Sequence, residues 1–191
     1  MRHDPAERKR QIIRAALRLI AEHGIGNLTI RNLSRSVGVT EAALYYYYPG
    51  KTEIVRDLIR GFNDGLKIEP GLRGWDAIRA FIAGRMEQVI AEPDLARALF
   101  AEELFLGEPE SERLLREMMH AHRETIARHL DEAEEDGTLR RGIPRDTLFR
   151  MVLGPVRLLV RQWGMCGGEF DLKRESEILL DTLRQTLGKE A

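Results

Sequence analysis

A single cysteine, Cys166, stands among the 191 residues, so no disulfide can close within the chain, and a lone thiol suits a reducing cytosol. No apolar run approaches the roughly 18 residues that a membrane helix needs, and no basic-then-apolar leader opens the chain. A cytoplasmic protein is the expectation. Asn27-Leu28-Thr29 and Asn32-Leu33-Ser34 match glycosylation sequons, but without a secretory route they carry no meaning. No stretch alternates with the period of two that a half-buried strand requires, which makes the expected fold class all-α. Aromatic residues are few, at 6%. The small net charge of −1 hides an asymmetry, because residues 1–51 hold nine Arg/Lys against four Asp/Glu and the remainder 21 against 27. A cationic first quarter on an otherwise acidic chain is the electrostatic footprint of nucleic-acid binding.

Catalytic signatures are incomplete. Gly50-Lys51-Thr52 copies the tail of a phosphate-binding P-loop, but position 45, where the loop needs its first glycine, is Tyr45 in a helical context. His120 and His122 point to different sides of a helix, and His122 and His129 share a side without a third ligand at matching spacing. Glu102 and Glu103, adjacent on a helix, diverge and suit a solvated face better than paired acid/base work. The expectation is a protein that is not an enzyme, with no metal and no cofactor.

What is present is a concentrated motif, Thr29 to Lys51, TIRNLSRSVGVTEAALYYYYPGK. Ile30, Leu33 and Val37 fall at i, i+3, i+7 and make one apolar helix face, with Thr29, Arg31, Asn32 and Arg35 polar. Gly38 supplies the positive φ of a tight helix-to-helix turn, and Thr40 is placed to cap a second helix. On that helix Leu44 and Tyr48 point inward while Glu41, Ala42, Tyr45 and Tyr46 share the other face. At 100° per residue four consecutive tyrosines cannot all enter one core. An exposed face of small and aromatic residues suits a DNA groove, since tyrosine hydroxyls donate to phosphates and alanine allows close approach to base edges. Ahead of the motif, Asp4-Pro5-Ala6-Glu7 reads as N-cap, first-turn proline and a glutamate reaching back to the cap. Ile13, Ala16, Leu17 and Ile20 form the buried stripe of this first helix, and Gly24 ends it.

Thr29, Leu33-Ser34, Gly38-Val39-Thr40, the block Leu44 to Tyr48 and Lys51 together resemble the N-terminal signature of the tetracycline-repressor (TetR) type of bacterial transcriptional regulators. The likeness covers about a third of the chain. It implies a three-helix DNA-binding module at residues 6–66, with its helix-turn-helix at 29–48, followed by a helical ligand-binding and dimerisation domain at 67–191, about nine helices in all. The DNA-facing residues expected are Thr29, Arg31, Thr40, Glu41, Ala42, Tyr45, Tyr46 and Lys51. Double-stranded DNA, a second copy of the chain and a small-molecule effector are the implied partners. The implied activity is that of a repressor, released from a palindromic operator by an apolar or amphipathic ligand; a DNA-bound architectural or partner-binding protein is the alternative.

Beyond a fourth helix from Lys51 to Gly65 come helix-period segments near Trp75–Ala91, Asp94–Leu106, Ser111–Asp136, Pro144–Cys166 and Asp171–Leu187, punctuated by proline and glycine. Pro155 falls inside the eighth, where it should kink rather than end the helix. All six phenylalanines and both tryptophans fall from Lys51 onward, with most of the methionines. Most suit plain core packing; the resemblance implies a cavity among helices four to eight, for which Phe62, Phe81, Met86, Phe105, Met118, His122, Phe149 and Trp163 are candidate lining residues, with His122, Arg123 or Gln88 as polar anchors. It also implies a four-helix dimer interface built from the last two helices of each copy, with Leu159, Trp163, Leu179, Leu183 and Leu187 as candidates.

Overall fold

The computed structural model describes residues 4–64, 71–98, 105 and 107–188, and among these it contains nine α-helices and no strand. The helices are α1 (Pro5–His23), α2 (Ile30–Val37), α3 (Glu41–Tyr47), α4 (Lys51–Asp64), α5 (Gly74–Ala91), α6 (Asp94–Ala98), α7 (Pro109–Glu135), α8 (Arg145–Met165) and α9 (Leu172–Leu187). They group into two compact units, Met1–Asp64 with Arg97–Met118, and Gly65–Ala96 with Met119–Ala191. A single cut near residue 66 therefore describes the chain incompletely, since the first unit also takes in the start of α7.

In the first unit α1 packs on α2 and α4, and α2 on α3. Asp4 caps α1 by accepting the Ala6 N–H at 3.0 Å, with Pro5 in the first turn. Glu7 does not reach back to that cap. It takes the Arg10 guanidinium instead, at 2.9 Å, because a charged donor one turn ahead on the exposed face outcompetes the neutral Asp4 backbone N–H. The buried row is Ile12, Ala16, Leu17 and Ile20, so Ile12 occupies the place expected of Ile13, which is half-buried. Gly24, at φ 76°, ends the helix. Along α4, Ile54, Val55, Leu58, Ile59 and Phe62 are all buried, as their spacing predicts. The expected helix Asp94–Leu106 is seen as Asp94–Ala98; Phe100, Glu102, Glu103, Leu104 and Leu106, like Gly65, lie outside the described residues.

In the second unit α5 packs on α8 and α9, and α8 on α9. Trp75, Ile78, Phe81, Ile82, Met86 and Val89 are buried along α5. Helix α8 runs unbroken through Pro155. Asp171 caps α9 by accepting the Arg174 N–H at 3.0 Å. The inner row of α9 is Leu172, Ser176, Leu180 and Leu187, while Leu179 and Leu183 are only half-buried and Ile178 is exposed. Leu183 and Leu179 lie about 60° and 100° around the helix from Leu180, on the half-buried edge of that row.

A carboxylate from α7 fixes the start of α5. Glu132 accepts the Gly74 N–H at 2.9 Å and the His129 Nδ1–H at 2.7 Å, with the Arg73 Nε at 3.5 Å. Gly74 sits at φ +54°, and a Cβ there would lie 2.9 Å from Asp136 Oδ2 and 3.4 Å from the Ala133 backbone, so α7 approaches closely only because this residue is glycine. The Gly74 amide, with help from His129, holds the Glu132 carboxyl down to about 2 from its ordinary 4.5. A carboxyl lowered on folding stabilises the folded state above its unfolded pKa, and that contribution is lost as the pH falls through the folded value. The expected result is that Glu132→Gln melts below the wild type at pH 7, with the gap closing between pH 4.5 and about 2; circular dichroism melts at a series of pH values measure it. A gap that stays constant down to pH 2 would show that the charge is not the source.

Candidate nucleic-acid interface

The reading head is assembled from side chains that settle each helix end. Thr29 accepts the Asn32 N–H at 3.1 Å and starts α2; Asn32 then donates through Nδ2 to the Asn27 carbonyl at 3.0 Å, and Asn27 to that of His23 at 2.7 Å. This chain of amides ties α2 back to the end of α1. Gly38, at φ 74° and ψ 37°, closes α2 in the left-handed region, and the Val39 N–H returns to the Ser34 carbonyl at 2.9 Å, the paired bonding of a glycine helix stop. Ser34 itself is buried, its hydroxyl donating to the Arg31 carbonyl at 3.0 Å. Thr40 accepts the Ala43 N–H at 3.1 Å and opens α3 two residues after the glycine.

Helix α3 divides its residues as its period requires. Leu44 and Tyr48 are buried, whereas Tyr45 is 53% and Tyr46 82% exposed, beside exposed Glu41 and Ala42. Tyr48 explains how one tyrosine enters the core. Its hydroxyl donates to Asp57 Oδ2 at 3.0 Å and the Lys9 ammonium lies 5.1 Å from its ring centre; burial and then Asp57 push its phenol far above the ordinary value, which keeps it a donor. Tyr47 is half-buried and meets Tyr46 edge-on at 5.1 Å. Thr29, Arg31, Thr40, Glu41, Ala42, Tyr45 and Tyr46 are all exposed. The two threonines serve as caps with their oxygens and retain a hydroxyl proton for an outside acceptor.

Lys51 departs from the expectation of a cation waiting for phosphate. Its Nζ lies 2.7 Å from Glu108 Oε1, with the lysine side chain 23% and the glutamate 42% exposed. A partner 57 residues away in sequence leaves no periodic signal, and spacing alone could not have found it.

The expected pocket residues pack in the cores of their own units. Phe62, Phe105 and Met118 are buried in the first, Phe81, Met86 and Trp163 in the second, where His122 and Phe149 are half-buried. Trp163 is held locally: its Nε1–H donates to the Phe170 carbonyl at 3.0 Å, and a Cβ at Gly168 would come 3.2 Å from its ring. Trp163 and Leu187, at 7% and 0% exposure, are already covered by their own chain and offer no surface to a second copy; Leu159 is half-buried. Arg123 is an exposed ion pair with Asp146 rather than a buried anchor.

Arg85, absent from the expected set, is 5% exposed in the second unit. Its guanidinium lies 5.3 Å from the Phe81 ring centre, donates to Gln88 Oε1 at 2.7 Å and meets His122 Nε2 at 2.8 Å. A guanidinium only donates, so His122 accepts and carries its proton on Nδ1. Burial and then the Arg85 charge lower His122 to about 4, and burial brings Arg85 to about 10. The signal in the sequence is a cation at the i+4 position from Phe81, inside the apolar run AFIAGRMEQVI.

Residues 12–58, which span most of α1, all of α2 and α3 and the start of α4, match the family described as bacterial regulatory proteins, tetR family. Over 187 residues the chain is 26% identical to the HTH-type transcriptional repressor KstR2 of Rhodococcus jostii, covering 92% of this chain and 91% of that one. It is 30% identical over 111 residues to the nucleoid occlusion factor SlmA of Pasteurella multocida, covering 54% and 56%. The transcriptional regulator FadR from Bacillus subtilis, solved in complex with stearoyl-CoA, shares the fold with a TM-score of 0.74 at 20% identity, over 93% of this chain and 98% of that one. A capped α2, a left-handed Gly38 turn and an aromatic face on α3 all lie inside the segment that matches the tetR family of bacterial regulatory proteins, and a helical remainder of shared fold follows it.

Proposed function

We propose that the chain is a cytoplasmic, homodimeric transcriptional repressor. Helix α3 of each copy enters the major groove of a palindromic site, and a small apolar or amphipathic molecule held in the second unit lowers the affinity for that site. The observation that carries this reading is the exposed α3 face, Ala42, Tyr45 and Tyr46, on a helix whose orientation is fixed by Gly38, Thr40 and buried Leu44. Large aromatics left in water on a rigid helix need an outside partner, and a groove walled by phosphates provides one. No described helix is long and apolar enough to cross a membrane. KstR2 is itself named a repressor, and FadR was solved with an amphiphile. Arg85, Gln88 and His122 around Phe81 are the polar group we assign to such a ligand's head.

The likeness to a nucleoid occlusion factor favours a second reading, a DNA-bound protein that recruits a partner and has no small-molecule inducer. Duplexes captured from a random-sequence library give the site; calorimetric titration of stearoyl-CoA and shorter amphiphiles, with and without that duplex, separates the two readings. If ligand and DNA favour different arrangements of the dimer, each weakens the other by the same factor, typically about 5- to 150-fold. Equal ligand affinity in both titrations, or none, moves the choice to the second reading.

A further inference from the structure

We infer that Glu108 is a built-in competitor of DNA for Lys51, so that the reading head carries its own brake on affinity. This rests on the DNA-binding reading of the α3 face. Lys51 is the first residue of α4 and follows the tyrosine block by two residues, Pro49 and Gly50. It is therefore the cation nearest in sequence to exposed Tyr45 and Tyr46, and a phosphate backbone lying along that face is its natural ligand. In the free protein that place is taken by the Glu108 carboxylate, 2.7 Å from Nζ.

The carboxylate is not there by the chance swing of a long side chain. The turn that carries it is closed by two hydrogen bonds of its own, Gly107 N–H to Glu112 Oε1 at 2.9 Å and Glu112 N–H to the Glu108 carbonyl at 3.0 Å. The same turn sets Glu110 at 3.7 Å from the Arg56 guanidinium, one helix turn and a half further along α4. Two carboxylates thus face two α4 cations within one compact unit. A phosphate oxygen and a carboxylate oxygen compete for the same ammonium protons, and both are anions, so docking onto DNA requires Lys51 to leave Glu108 and leaves that carboxylate unpaired beside the backbone. The exchange reduces the net gain from Lys51 and lowers the salt dependence, because the freed carboxylate takes up a cation while DNA releases one. Pro109 follows Glu108 and opens α7.

The test measures binding of a random-sequence DNA duplex by fluorescence anisotropy over a range of potassium chloride, since a phosphate contact needs no operator. Wild type, Glu108→Gln, Lys51→Ala and the double variant form a cycle, with Glu108→Ala as a second removal of the charge and circular dichroism melts as the folding control. The expected result is that Glu108→Gln binds about three- to ten-fold more tightly at low salt, with a log–log salt slope steeper by about 0.9 for each Lys51 released. Lys51→Ala should then cost more in the Glu108→Gln background than in the wild type. Unchanged or weaker binding by Glu108→Gln and Glu108→Ala, with slopes equal to wild type, overturns the inference and leaves Glu108 as a structural tie. Failure of the wild type to bind the duplex at any salt overturns the DNA-binding reading instead.

Discussion

Replacing Tyr45 or Tyr46 with alanine is expected to weaken binding to the captured duplex by about 5- to 150-fold for each residue, the cost of about 1–3 kcal/mol per lost groove contact. Helix content and melting temperature should stay at wild-type values, because at 53% and 82% exposure neither side chain supports the core. Gel shift or anisotropy with matched circular dichroism reads both. The informative contrast is Tyr48→Ala, which removes a buried ring and its bond to Asp57 and should lose stability and binding together. Wild-type affinity in both Tyr45→Ala and Tyr46→Ala would sink the docking of α3.

Charge placed on the outer apolar rows of α8 and α9 is expected to have an effect as large by a different route. Leu158 is 57% and Ile178 48% exposed, Met165 lies seven residues beyond Leu158 on the same side of α8, and Leu179 and Leu183 are half-buried on the neighbouring side of α9. The double variant Leu158→Glu/Ile178→Glu should be a folded monomer by light scattering. It should bind a palindrome about 10²-fold more weakly than wild type, because joining two heads makes the second docking intramolecular. Binding of a single half-site should not change. A dimer that survives both charges would show that these rows are not the interface.

How much of this could be read from residues alone follows the range of the physics. Helix punctuation is local, and Asp4-Pro5, Gly24, Gly38 and Thr40 each act within four residues, so the head emerges from the sequence nearly complete. The division of the tyrosine block is equally local, a matter of 100° per residue. Phase within a two-sided helix is not: Ile12 against Ile13 and Leu180 against Leu179 differ by one residue, and only the position of a neighbouring helix decides between them. Charge pairing is the least legible of all, since Glu7 had a nearer competitor in Arg10, while Lys51 met Glu108 across 57 residues. Arg85 shows the intermediate case, where the sequence displays an anomaly, a cation in an apolar run, without naming Gln88 and His122 as its partners.

The joints that start and stop α2 and start α3 are uncharged. Thr29 and Thr40 hold their helices through hydroxyl oxygens, Asn27 and Asn32 through amides, and Gly38 through backbone alone. Mobile ions screen charges over about 10 Å at 0.1 M but leave such neutral bonds untouched, whereas every contact with a phosphate weakens as salt rises. Salt should therefore detach this protein from DNA without loosening the part that grips it. The start and stop of α2 and the start of α3 are set by the fold, while attachment is set by ionic strength.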